Sequence, residues 1–313
     1  TIGQAPEHTP SPPLARPKPR PRIEPQPIPK RPSISHQIRQ MAISNTGQLL
    51  SGFTDGKIKL KAWKTDTFTQ SSQIHNAAIS ALAVHPPGVF ACAGFSDGTL
   101  MKFSLRFFKP YFQQKYTSEV SALCVALYGE IAAGFDDGSL ICWNMLGDLV
   151  QFTGHEKRIT AVAILPSGQV VSAAEDRKVR LWEPKSGKMI QSFSGIESPI
   201  TVLCADEKTN RITCGCEDTL AFLWDLETYK TKNTYRLNAV LLAASGERAS
   251  VLSGGSSGKV SVFDLETGKT LYYHDEQKPI HGGALSSNGA LGAVFDEQGQ
   301  VHRFDVPRIH EKA

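Results

Sequence analysis

The sequence has no uninterrupted apolar run of 18 residues, which excludes the ordinary helical membrane span. It has no Asn-x-Ser/Thr acceptor for N-glycosylation. Its six cysteines lack the paired spacing of a closed zinc site, since Cys214-x-Cys216 has no second pair nearby. We therefore expect structural cysteines with reduced thiols in a cytoplasmic or nuclear protein. A secretory signal that had already been cleaved would leave no trace.

Charge is unevenly distributed. Residues 1–33 carry six basic and two acidic side chains, so this segment accounts for the whole net charge of +4. The remainder is formally neutral, and a basic nucleic-acid-binding surface is not implied for it.

Residues 1–27 form a proline-rich segment in which Pro alternates with Arg or Lys. This pattern disfavours helix and sheet and predicts an extended, solvated, polyproline-like tail. One interpretation is a linker to a structure upstream. The other is a ligand for an aromatic-lined groove or an acidic surface.

Residues 154–183 contain three short β-branched runs separated by turn signals, which predicts an antiparallel meander. Its polar residues suggest a local clamp. Asp176 in the second turn can accept a hydrogen bond from His155, which Ser172 can also hold. The same Ser172 can reach the ring N–H of Trp182.

The pattern recurs along the chain at intervals of 39 to 42 residues. An aromatic residue lies six positions after each turn position in all repeats but the first, where Lys61 holds the place and Trp63 follows. The seven turn positions are Asp55, Asp97, Asp137, Asp176, Asp218, Ser257 and Gln298.

The Gly-His opening and the S-x-x-x-D-x-x-V-x-L-W spacing of residues 154–182 resemble a WD40 repeat. Seven occurrences imply an all-β, seven-bladed WD40-type β-propeller over residues 28–313, preceded by the tail 1–27. Each blade would be a four-stranded sheet. Only the fourth repeat has the residues for the complete clamp, His155, Ser172, Asp176 and Trp182.

Closure of the ring is a problem, because few residues follow the last predicted third strand. We expect residues 28–33 to supply the outer strand of blade seven, where their two prolines would lie on an edge. The alternative is a last blade of only three strands.

Residues 104–116 are rich in aromatic and basic side chains. Such interleaving can stack on nucleic-acid bases. An outer strand also buries its own aromatics against its neighbour, and we favour this packing. Any exposed remainder would be a lateral docking patch for protein.

No catalytic constellation is expected. Gly268-Lys269-Thr270 lacks the upstream glycine of a phosphate-binding loop. His155, Ser172 and Asp176 include the residue types of a nucleophilic triad, but in the clamp these groups satisfy one another. We predict a protein that is not an enzyme and has no cofactor or metal.

The resemblance implies that three positions in every repeat face partners. Acidic residues at four of these positions would form an arc over blades three to five. Arg39, Arg236 and His281 would lie on the opposite side of the rim. The alternative is a solvated rim with scattered charge. The acidic arc comprises Glu119, Asp136, Glu175 and Glu217, and the other candidates are Arg158, Arg39, Arg236 and His281.

Three functions follow as hypotheses. The first is a protein–protein interaction scaffold, monomeric within a larger assembly, that docks a basic peptide segment on the acidic arc. The second is a subunit associated with RNA or ribonucleoprotein, using the tail and residues 104–116. The third is an enzyme with a site in the central channel, which a specifically bound small molecule would have to support.

Overall fold

Seven antiparallel sheets form the described part of the chain. The computed structural model describes residues 37–307 except 66–67, 145–146, 194–195, 207–209 and 238. Each sheet is a meander of consecutive strands, as expected for hairpin-spaced repeats. No helix in this described part has the length and apolar character needed to cross a bilayer. The all-β fold with seven blades is confirmed.

The strands of blades one to four are β1 Ile38–Ile43, β2 Gln48–Phe53, β3 Lys57–Ala62, β4 Phe68–Gln73; β5 Ile79–Val84, β6 Phe90–Phe95, β7 Thr99–Ser104, β8 Pro110–Lys115; β9 Val120–Val125, β10 Ile131–Phe135, β11 Leu140–Trp143, β12 Leu149–Phe152; and β13 Ile159–Ile164, β14 Val170–Ala174, β15 Val179–Trp182, β16 Met189–Phe193.

The strands of blades five to seven are β17 Ile200–Ala205, β18 Arg211–Cys216, β19 Leu220–Asp225, β20 Lys230–Arg236; β21 Leu241–Ser245, β22 Ser250–Ser253, β23 Lys259–Asp264, β24 Thr270–Asp275; and β25 Ile280–Leu285, β26 Leu291–Asp296, β27 Val301–Asp305.

The apolar core lies between neighbouring blades. Phe95 and Phe135 end the second strands of blades two and three and are almost completely buried. The glycine before each phenylalanine lets the next blade approach closely. A Cβ on Gly134, for example, would lie 2.4 Å from Ile159 Cγ2, closer than carbon atoms pack. The Gly-Phe pair is therefore a packing feature.

All six cysteines are free thiols. Cys92, Cys142, Cys214 and Cys216 are buried among apolar side chains. Burial raises the pKa of the Cys92 and Cys142 thiols to about 12, so both stay protonated at neutral pH. These cysteines act as small core residues.

Blades one and seven pack directly against each other. Ile38, Met41 and Phe53 of blade one share a core cluster with Ala293 and Phe295 of blade seven. The cluster continues the inter-blade packing across the point where the ring closes.

Polar contacts reinforce the same junction. The Trp63 indole Nε1 donates to Asp305 Oδ1 at 2.9 Å. Arg303 donates to the carbonyl oxygens of Ala62 and Thr65 at 3.2 and 2.9 Å. The displaced tryptophan of the first repeat thus has a structural role at the seam.

Blade seven has three strands, β25, β26 and β27, within the described residues. The predicted outer strand at residues 28–33 lies outside the described residues, as does the tail 1–27. The prediction that this segment closes the ring therefore stays a prediction.

Candidate functional site

One narrow face of the ring carries the turns between the second and third strands of the blades. We call it the aspartate face, after the turn residues Asp55, Asp97, Asp137, Asp176 and Asp218. In each of these turns the carboxylate Oδ1 accepts the backbone N–H two residues later, at 2.9 to 3.3 Å. This local bond explains the recurrence of aspartate, since it stabilises the turn without help from other blades.

In blade four the structure brings the four predicted clamp residues into one chain of buried hydrogen bonds. Trp182 Nε1 donates to Ser172 Oγ at 2.8 Å. Ser172 Oγ lies 2.8 Å from His155 Nε2, and His155 Nδ1 lies 2.9 Å from Asp176 Oδ2. Arg180 Nη1 donates to the same Asp176 oxygen at 3.2 Å.

The pKa values of the clamp residues set the direction of these bonds. Burial lowers the pKa of His155, although the neighbouring Asp176 opposes the effect. Burial opposes ionisation of Asp176, but the hydrogen bond and charge of His155 hold the pKa of this carboxyl below its usual range. A neutral His155 therefore donates from Nδ1 to the carboxylate and accepts at Nε2 from the Ser172 hydroxyl. Ser172 is fully buried, so it does not face substrate.

Blade two contains a partial clamp. His75 Nε2 lies 2.9 Å from Asp97 Oδ2, and Lys115 Nζ donates to the same oxygen at 2.6 Å. Ala93 and Phe103 replace the serine and tryptophan, so the chain of hydrogen bonds stops at the histidine. Burial opposes ionisation of Asp97, but the bonds from Lys115 and His75 lower its pKa well below the usual range.

In blade seven the turn is stabilised by an aspartate two residues before the aligned turn position. Gln298 occupies the aligned turn position, but Asp296 Oδ1 accepts the backbone N–H groups of Gln298 and Gln300, both at 2.9 Å. The alignment of the repeats did not predict Asp296 as the turn residue. The available signal was an aspartate two places before the aligned position, followed by Gly299 with a positive φ of 75°.

Two of the predicted acidic residues on the aspartate face are paired with cations. Arg39 Nη2 lies 3.6 Å from Glu119 Oε1, and Arg158 Nε lies 3.3 Å from Asp136 Oδ1. Arg39, which was expected on the opposite side of the rim, instead lies beside Glu119 of the acidic arc. The side chains of blades one and three meet across blade two, a juxtaposition that spacing along the chain does not show.

Glu175 and Glu217 differ from these pairs. Both are exposed, and neither side chain makes a hydrogen bond or ion pair within the described part of the ring. Arg236 is exposed and donates to the Asp218 carbonyl oxygen at 3.1 Å. His281 is exposed in blade seven. The accessible negative charge of the predicted arc therefore lies on blades four and five.

The central channel is lined by uncharged side chains. A cavity of about 350 Å³ runs along the first strands and is lined by apolar, hydroxyl, amide and thiol groups. None of the described residues that line it carries a charge. Across the described ranges, no cluster of three or more His, Cys, Asp or Glu residues has the geometry to hold a metal ion.

Residues 104–116 divide between packing and exposure. Phe108 is buried against Phe103, with ring centroids 5.6 Å apart, and Tyr116 packs on Phe135 at 4.9 Å. Phe107 and Tyr111 project into solvent, with 71% and 58% of their surface exposed. The segment thus combines a buried part and an exposed aromatic part.

A family model described as "WD domain, G-beta repeat" matches residues 148–183, which cover β12 and the first three strands of blade four. The chain is 23% identical over 184 residues to WD repeat-containing protein SL1-17 of Schistosoma mansoni, covering 56% of this chain and 61% of that protein. It is 21% identical over 288 residues to a Periodic tryptophan protein 2 homolog of Dictyostelium discoideum, covering 83% and 30%.

A third relative is Ribosome biogenesis protein YTM1 of Candida albicans, 32% identical over 108 residues, covering 30% of this chain and 23% of that protein. In each comparison, this chain spans less than two thirds of the relative's length. With seven blades, the clamp of blade four, the WD-domain match at that blade and one relative named for the WD repeat, the chain is a WD40-repeat β-propeller.

Proposed function

We propose that this propeller is a non-enzymatic scaffold that holds other proteins in a larger assembly. We further propose that its aspartate face docks a partner segment rich in Lys or Arg. The carrying observation is the exposed pair Glu175 and Glu217 on adjacent blades, whose side chains have no cation partner among the described residues.

The paired residues on the same face support this choice. Asp136 and Glu119 are already within ion-pair distance of Arg158 and Arg39, so a basic partner would have to displace those cations. At Glu175 and Glu217 it would meet free carboxylates. Opposite charges across an interface favour fast encounter and fix the orientation of the partner.

The double variant Glu175→Lys/Glu217→Lys tests this proposal. We expect binding of a Lys/Arg-rich peptide, measured by fluorescence anisotropy, to weaken roughly tenfold or more, and its salt dependence to become shallower. Glu297→Lys is the matched control, because Glu297 is exposed at the equivalent position of blade seven. Unchanged affinity and salt dependence in the double variant would refute docking at this face.

The second candidate is a subunit associated with ribonucleoprotein. Two observations favour it: one relative is named a ribosome biogenesis protein, and residues 1–33 carry the whole net positive charge. We expect RNA binding to fall steeply with salt and to vanish when residues 1–27 are deleted. RNA binding that survives the deletion would remove the tail from the proposal. We propose the cytoplasm or nucleus as the location, in agreement with six free thiols.

A further inference from the structure

A lateral groove lies between blades two and three, on the side of the ring and away from the aspartate face. It encloses about 400 Å³, within the range of small-ligand and peptide-anchor pockets. Aliphatic side chains line it together with three aromatic rings. We call it the aromatic groove and define it by Cys92, Leu100, Met101, Lys102, Tyr111, Phe112, Gly129, Ile131, Trp143, Asn144 and Gly147.

The aromatic residues at this groove are unusually exposed for their size. Tyr111 is 58% exposed, Phe112 is 37% exposed, and Tyr128, next to lining residue Gly129, is 65% exposed. The Phe107 ring, on the turn that leads to β8, is also in solvent. A cluster of large exposed aromatics around a concave site is typical of a binding surface, since covering it removes apolar area from water.

The charge in the groove indicates the sign of its occupant. Lys102 Nζ lies 4.0 Å from the ring centroid of Phe90 and 5.7 Å from that of Tyr111. Within the described residues it has no carboxylate partner. Arg106 and Lys109 are exposed on the preceding turn. The lining contains no acidic residue, whereas the next groove, between blades three and four, contains both Glu130 and Asp148.

The ring geometry favours a peptide over a nucleic acid. Phe112 and Trp143 meet edge to face, with centroids 5.8 Å apart and an interplanar angle of 79°. Rings in this arrangement do not form the parallel slot in which a base would stack. The exposed rings of Tyr111 and Phe112 instead suit an apolar side chain that packs against them.

We propose that the aromatic groove is a second docking site, which binds a short acidic peptide segment. A large apolar side chain of the segment packs on the exposed rings of Tyr111 and Phe112, and a neighbouring Asp or Glu pairs with Lys102. This site is independent of the basic segment proposed for the aspartate face. The propeller would then hold two partners of opposite charge on two different surfaces.

Selection of a random peptide display library on the full chain tests the proposal. We expect one class of enriched clones to carry Asp or Glu beside a large apolar residue, in addition to the Lys/Arg-rich clones that the aspartate face would select. The corresponding synthetic peptides should bind at least about tenfold more weakly to Lys102→Glu and to Tyr111→Ala than to the unchanged chain. Tyr111 is mostly exposed, so its replacement should leave the fold intact, and thermal melting of each variant checks this.

Two substitutions on blade six serve as matched controls. Tyr273 is 59% exposed on the outer strand β24, and Lys259 is exposed on the third strand β23. Tyr273→Ala and Lys259→Glu should leave peptide affinity unchanged.

Three outcomes would overturn the proposal: no enrichment, no class of acidic peptide among the enriched clones, or acidic peptides whose affinity is the same for the unchanged chain, Lys102→Glu and Tyr111→Ala. A 12-nucleotide uridine RNA, assayed in parallel, gives a fourth. If that RNA binds in a Lys102-dependent manner and the acidic peptides do not, the groove binds nucleic acid instead.

Discussion

Replacing Ser172 with alanine should destabilise the propeller strongly, because its hydroxyl joins Trp182 to His155. Both hydrogen bonds are 2.8 Å long, and the residue is fully buried. Each bond contributes about 1 kcal/mol, and a buried donor left without an acceptor costs about 1–3 kcal/mol more. We therefore expect Ser172→Ala to lower the free energy of unfolding by about 3–5 kcal/mol. For a domain of this size this corresponds to a fall in Tm of roughly 6–20 °C.

Urea unfolding of a double-mutant cycle measures this effect. In Trp182→Phe the indole donor is absent, so the further replacement Ser172→Ala should cost at least about 1 kcal/mol less than it does alone. The matched control is Ser51→Ala. Ser51 occupies the equivalent position in blade one and is also buried, but its hydroxyl makes no hydrogen bond within the described structure. Its replacement removes a buried hydroxyl that has no partner, so it should not lower the free energy of unfolding.

Two results would refute the reasoning about the clamp. One is a loss in Ser172→Ala no larger than that in Ser51→Ala. The other is strict additivity of the Ser172 and Trp182 substitutions, which would show that the two groups do not depend on each other.

Three further predictions concern the clamp, the seam and a strained turn. The pKa of His155 is lowered in the folded state, so below about pH 6.5 the unfolded chain binds a proton that the folded protein does not, and the contribution of His155 to the free energy of unfolding falls. Above about pH 6.5 this contribution should be constant. The lowered pKa of Asp176 adds a second loss of stability below about pH 3.9. Equal urea midpoints at pH 7.5 and 5.5, or an unchanged pH slope in His155→Gln, would contradict the first part. Trp63→Phe should cost about 1 kcal/mol in urea unfolding, and less in an Asp305→Ala background; equal costs would show that the 2.9 Å bond does not stabilise the seam. Thr219 has a φ of +71°, so Thr219→Gly should stabilise the protein by about 1 kcal/mol, and a lower urea midpoint would show that the turn is not strained.

Much of the fold follows from periodicity. The turn aspartates are specified within each repeat, because each carboxylate bonds a backbone N–H only two residues away. The clamp of blade four is equally local, with its members inside residues 155–182. Interactions of this range are recorded in spacing, so both the number of blades and the tetrad could be predicted.

Contacts that depend on the curvature of the ring could not be predicted. Arg39 and Glu119 are separated by a whole blade in sequence, yet their side chains meet at 3.6 Å on one face. Trp63 appeared only as a departure from the repeat, and its partner Asp305 lies at the far end of the chain. Neither spacing nor composition records such pairings. The exposure of Tyr111 likewise depends on how two blades diverge at their outer edges.

The seam between blades one and seven has a consequence for biosynthesis. Its hydrogen bonds join residues about 240 positions apart in sequence, so none can form until blade seven has been synthesised. Until then Ile38, Met41 and Phe53 lack the apolar surface of blade seven that covers them in the closed ring. An intermediate with six blades would expose this apolar surface at its open edges, which favours aggregation until blade seven closes the ring.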